Sequence, residues 1–221
     1  MLPVSDVIPS KTTPYVTIGL IAINVLAFLY ERQLSRPELE LLVMAFGVVP
    51  AYFSWPTLVT SLFLHDGWMH IGGNMLYLWI FGDNVEDRLG HGRYLLAYLA
   101  FGAAAALGQT AVSAGSMIPM VGASGAIAGV MGAYFVLYPH SRVLTLIPLW
   151  FYYEIFELPA IFLLGFWFLM QLFSAGAIAV TAHTEGGGVA FMAHVAGFVA
   201  GIIAVFALRQ RDVQPWEDLP Y

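Results

Sequence analysis

Residues 94–139 read YLLAYLAFGAAAALGQTAVSAGSMIPMVGASGAIAGVMGAYFVLYP, 46 residues without a charged side chain. A bilayer core about 30 Å thick takes roughly 20 helical residues, so this stretch is long enough for two membrane spans. The turn between them falls at Ser113-Ala114-Gly115-Ser116 with Pro119, where turn-forming residues interrupt the helical pattern. Composition extends the reading to the whole chain. Of 221 residues 60% are hydrophobic and 10% charged, with a mean hydropathy of +0.79. Counting glycine in and tyrosine out, the apolar share is roughly 65%, against about 45–50% in soluble domains. A soluble fold of this size has no interior that could hide so much apolar surface. Eight Lys and Arg and a net charge of −6 argue against nucleic acid as a partner. The lack of cysteine removes disulfides, thiol nucleophiles and cysteine metal sites.

Outward from this stretch, charges mark four further spans. Pro14–Tyr30 is the first; no small-residue cleavage site follows it, so it is not read as a signal peptide. Gly67–Gly82 is the second, Pro159–Ala179 the fifth and Phe191–Leu208 the sixth. Leu41–His65 is also uncharged, but Pro50 and Pro56 cut it into pieces too short to cross. It reads as a first loop lying in the membrane interface, with Tyr52 and Trp55 as interfacial aromatics. The expected fold is therefore all-α: a six-helix membrane domain over residues 14–208, a cytoplasmic segment 1–13 and a cytoplasmic tail 209–221. Six spans put Lys11, Arg88, Arg93, Arg142, Arg209 and Arg211 on one side and Arg32 and Arg36 on the other. The positive-inside rule makes the first side cytoplasmic and places both termini there.

Polar residues inside spans are functional candidates. His70 and Asn74 lie near the start of span two, Ser124 near the start of span four, and His194 near the start of span six. All three spans run inward, so the four residues share one layer below the outer face. Small residues at four-residue spacing, Gly125 and Gly129 on span four and Ala193, Gly197 and Gly201 on span six, allow these two backbones to approach closely. A short Ser124–His194 distance is expected if the two are neighbours. A neutral histidine can then take the serine proton and return it to a leaving group. His70 and Asn74, one turn apart, can aim two donors at an oxyanion, with the Ser124 N–H at a helix start as a third. No Asp or Glu is expected at this depth, which makes the arrangement a dyad.

These residues resemble those of the rhomboid intramembrane serine proteases, of the compact six-span prokaryotic type. The pieces are His70-Ile71-Gly72-Gly73-Asn74, Glu86-Asp87-Arg88-Leu89-Gly90, Gly122-Ala123-Ser124-Gly125 and Ala193-His194-Val195-Ala196-Gly197, in this order. The resemblance implies a Ser124–His194 dyad in a water-filled cavity open to the outer side, an oxyanion hole from Ser124 N–H, His70 and Asn74, and a covalent acyl-enzyme. It implies transmembrane protein substrates, cut at small residues in helix-unstable segments. Span five and the loop Thr181–Val189 become gate and cap, and His65 supports the site from behind. A bacterial cytoplasmic membrane is the expected location, and a monomer suffices. Two positions depart from the family pattern: Ala128 stands where some members carry an aromatic against the catalytic histidine, and Trp55 is followed by Pro56 rather than Arg.

No cofactor or metal is expected. His183 and Glu185 belong to no HExxH motif, and His65, Asp66 and His70 do not share one helical face. His91 and His140 are read as solvated, Arg142 as a topology anchor and Gln171 as an interhelical hydrogen bonder. Two other classes make different demands on the sequence. A non-catalytic helix-binding relative would lack the nucleophile or the base. A transporter would carry polar residues through the full membrane depth and often shows paired inverted repeats.

Overall fold

The computed structural model of the chain describes residues 2–149, 151–181 and 190–208. The tail 209–221 and most of the expected cap, with Gly186–Gly188, His183 and Glu185, lie outside the described residues. Helix α1 (Tyr15–Glu31) leads into a broken segment made of α2 (Arg36–Phe46), a short 3-10 turn at Pro50–Tyr52, α3 (Thr57–Thr60) and a second 3-10 turn at Ser61–Phe63. Both prolines sit at breaks between these pieces, because neither ring can continue a hydrogen-bonded helix through its own nitrogen. Tyr52 and Trp55 are exposed. The long helices follow: α4 (Trp68–Leu89), α5 (His91–Val112), α6 (Ser124–Leu137), α7 (Ala160–Thr181) and α8 (Phe191–Leu208).

By length and composition α5 is the one described helix both long and apolar enough to cross a bilayer. Apolar stretches of α1, α6, α7 and α8 are shorter, and α6 has 14 residues. That shortness fits its position. α6 is buried along most of its length, wrapped by α4, α5, α7 and α8. Its N-terminus therefore stops inside the bundle.

Glycine sets the central contact. A methyl on Gly197 would lie 2.1 Å from the Gly125 carbonyl oxygen, and one on Gly201 1.8 Å from that of Gly129. A methyl on Gly132 would lie 2.0 Å from the Phe198 carbonyl oxygen. α6 and α8 thus touch backbone to backbone, as the small-residue stripes require.

The all-α expectation needs correction. Strands β1 (Leu2–Asp6), β2 (Arg142–Leu149) and β3 (Tyr152–Pro159) form an antiparallel sheet in the order β1-β2-β3. The run Val143-Leu144-Thr145-Leu146-Ile147 and the aromatics Tyr152, Tyr153 and Phe156 suit a strand's pleated surface. β2 and β3 pair throughout, from Arg142 opposite Pro159 to Leu149 opposite Tyr152. β1 pairs along β2, with a register shift between Pro3 and Ser5, where Pro3 has no N–H to give. The first residues are therefore part of the fold rather than a free segment. Arg142 starts β2 and pairs with Glu157 at 3.0 Å.

Candidate active site

The site is assembled at the N-terminal ends of α4, α6 and α8. His194, in the first turn of α8, places Nε2 2.8 Å from the Ser124 hydroxyl oxygen at the start of α6. The backbone contact between α6 and α8 one and two turns further along fixes that approach. Three helix N-termini point their positive ends at this layer, which favours negative charge there.

His70 and Asn74 stand one turn apart on α4. They close on Gly122, two residues before Ser124. Gly122 has φ +115°, a conformation L side chains rarely adopt. A methyl there would come within 2.7 Å of the His70 ring and 3.6 Å of the Asn74 amide nitrogen. The Gly122 N–H donates to the Ser61 carbonyl at 2.9 Å, tying the segment to the first loop. Helix geometry leaves the Ser124 N–H without an intrahelical partner, and His70 and Asn74 lie against Gly122 two residues before it.

His65 backs this group. Its Nε2 accepts from the Asn74 amide at 2.9 Å, and its ring meets that of His70 edge to face. Burial, with the His70 ring adding to it, pushes the His65 imidazole down to about 4. It is therefore neutral near pH 7 and free to accept. Asp66 holds His70 Nδ1 at 2.8 Å, which turns the Nε2 side of that ring toward Gly122.

The expectation that no carboxylate stands near this layer is corrected. Glu31, 2% exposed, ends α1 and accepts from the His65 N–H at 3.2 Å. It fell one residue beyond the uncharged run that defined span one. Neither Glu31 nor Asp66 is the partner of His194, however. His194 Nδ1 meets Gln171 Oε1 of α7 at 2.8 Å, and Trp167 lies against the imidazole at 5.7 Å between centroids. The interhelical hydrogen bond expected of Gln171 thus goes to His194.

Other expectations fall away from the site. His91 is not simply solvated: its Nδ1 contacts the fully buried Glu86 carboxylate at 2.6 Å. His140 is exposed. A cavity of about 310 Å³ lies at the opposite end of α4, between β1 and Trp79, Ile80 and Asp83, and shares no residue with the Ser124–His194 group.

Chemically, the arrangement offers a serine hydroxyl in contact with an imidazole, with further polar side chains two residues away along the chain at Gly122. The Rhomboid domain family profile matches residues 52–211. The chain is 41% identical over 125 residues to the rhomboid protease GluP of Bacillus subtilis, covering 54% of this chain and 24% of that protein. It is 28% identical over 169 residues to the mitochondrial rhomboid protein 1 of Saccharomyces cerevisiae, covering 72% of this chain and 45% of that one. It is 32% identical over 163 residues to the chloroplastic rhomboid-like protein 11 of Arabidopsis thaliana, covering 71% and 54%. The matches thus span between about a quarter and about half of those relatives. On the extent of the profile match, which includes His70, Asn74, Ser124 and His194, the chain belongs to the rhomboid family.

Proposed function

We propose that the chain is an intramembrane serine endopeptidase that cleaves transmembrane segments of other membrane proteins. The observation that carries the reading is the 2.8 Å contact between His194 Nε2 and the Ser124 hydroxyl. A relative named as a protease, GluP, supports it.

In this reading His194 takes the Ser124 proton as Oγ attacks the scissile carbonyl. The carbonyl oxygen gains the charge, and the Ser124 N–H and the Asn74 amide donate to it, joined by His70 from Nε2 when its ring carries both protons, since Asp66 takes the Nδ1–H. The C–N bond then breaks, and His194 returns the proton to the leaving amine. The acyl-enzyme at Ser124 is hydrolysed by a water that His194 deprotonates in turn. Gly122 sits where any larger residue would displace His70, so it keeps the oxyanion donors close to the nucleophile.

Water has to reach this point. With six spans and cytoplasmic termini, the short α6 recesses Ser124 below the outer face and leaves room for water above it. The sheet then lies on the cytoplasmic side and the first loop at the outer interface. A bilayer-embedded substrate reaches the site from the side of the bundle, past α7.

The test is fluorophosphonate labelling of the detergent-solubilised full chain. Wild type should label covalently, and Ser124→Ala and His194→Ala should not, with helical circular dichroism unchanged. Folded wild type that fails to label, or Ser124→Ala that still labels, would sink the reading. Cleavage of transmembrane reporter helices in proteoliposomes then tests the substrate class.

A further inference from the structure

A Ser–His pair works only in one tautomer. His194 must carry its proton on Nδ1 so that the Nε2 lone pair faces the serine. Free neutral imidazole populates both tautomers, so a site using this chemistry gains from an acceptor at Nδ1. His194 is 9% exposed, and neither carboxylate of the outer layer serves it.

Gln171 Oε1 stands 2.8 Å from Nδ1. An amide oxygen only accepts, so this contact calls for the proton on Nδ1 and leaves Nε2 bare toward Ser124. One turn earlier on the same face of α7, Trp167 covers the imidazole, and it also meets the Phe198 ring of α8 at 6.1 Å. Ala128, a buried methyl in α6, has no ring to offer for this purpose. α7 therefore holds His194 by its edge and by its face.

We infer that Gln171 is the positioning residue of the site, completing a Ser124–His194–Gln171 relay in which a neutral amide stands where soluble serine proteases use a carboxylate. This rests on the protease reading above. The amide suits an apolar setting. It orients the imidazole without a buried charge, whose desolvation is costly in the absence of a cationic partner. Since Gln171 and Trp167 share one helix, displacing α7 from α8 would remove both supports together. The state of α7 is then coupled to the readiness of the base.

The experiment compares wild type, Gln171→Met and Gln171→Glu as full chains in detergent. Two measurements are made: fluorophosphonate labelling kinetics and the ¹⁵N spectrum of labelled histidine, with His194 assigned by loss of its signal in His194→Ala. Gln171→Met keeps the side chain's length but not its acceptor. It should slow the first-order labelling step about tenfold, the order expected for one hydrogen bond, while the half-saturating probe concentration stays the same. Gln171→Glu restores the acceptor and should recover most of that rate. In wild type, His194 should show a protonated Nδ1 and a bare Nε2; in Gln171→Met the two forms should mix.

Wild-type rates in Gln171→Met, or a wild-type His194 protonated at Nε2, would overturn the inference. The wild-type spectrum needs no variant to fold. A wild type that shows the expected tautomer but takes no label would support the orienting role and overturn the protease reading, so the two failures are separable.

Discussion

At the scale of single residues, the most exacting position is Gly122. Two independent constraints meet there: a φ of +115° and a space already filled by His70. Gly122→Ala would meet both, at a cost of about 2 kcal/mol from backbone strain alone. The ring of His70 would have to move, and with it the oxyanion donor proposed above. The expected result is at least a tenfold slower fluorophosphonate labelling and a lower thermal midpoint by circular dichroism. Unchanged labelling would mean that His70 is not a donor at the site. The same residue shows what the sequence made legible. The GxSG spacing places a glycine two residues before the serine, but only the packed structure reveals that its neighbour is a histidine on another helix. Gln171 was harder still. α7 is apolar nearly all round, so no periodicity marks which face turns inward, and a polar residue there has no partner until α8 is packed beside it.

Among the elements, α1 depends on a carboxylate from α4. Glu86 is fully buried and accepts from the Val16 and Thr17 N–H groups and from the Thr17 hydroxyl, at 2.7–2.9 Å. These are orphan donors of the first turn of α1, and an anion there is favoured by the helix dipole. The neighbouring Asp87 makes a similar set of bonds to Lys11 and Thr12, but at an exposed site. Burial decides which matters more. Glu86→Ala leaves buried donors unpaired and should cost about 3 kcal/mol, whereas Asp87→Asn should cost under about 1 kcal/mol. Thermal unfolding of both variants in one detergent checks the order; equal losses would show that the Glu86 bonds contribute no more than surface ones. Span six was legible because charges bracket it, and its reading as Phe191–Leu208 coincides with α8; span two was read as ending at Gly82, whereas α4 runs on through charged residues to Leu89. The sheet was not legible. The run Val143–Ile147 is apolar except for Thr145, and short apolar runs do not distinguish helix from buried strand. Nor does anything local announce that residues 2–6 pair with residues 143–146.

For the whole molecule, that pairing ties the start of the chain to the hairpin between α6 and α7, and its pH dependence follows from one carboxyl. Asp6 accepts from the Tyr134 hydroxyl at 2.6 Å and from the Asn84 amide at 2.9 Å. Burial, with the carboxylate of Asp83 adding to it, pushes Asp6 up to about 7. The docked strand thus holds a proton that the undocked strand releases near its ordinary value of 3.8. The docking stability that Asp6 contributes is complete below about 3.8 and is lost as pH rises through about 7. His65 acts in the opposite sense. Its folded value of about 4 lies below the ordinary 6.5, so its contribution is present above 6.5 and is lost as pH falls through about 4. Between these limits the two slopes oppose each other, and a global melting curve mixes them. Hydrogen exchange resolves the local one. Amides of residues 2–6 and 142–146, corrected for intrinsic rates, should be better protected at pH 5 than at pH 8. Asp6→Asn keeps an acceptor for Tyr134 but has no proton to lose, so protection there should be the same at both values. Wild-type protection that does not change between pH 5 and pH 8 would show that the Asp6 carboxyl is not shielded from water, and that the strand is held by its ladder alone.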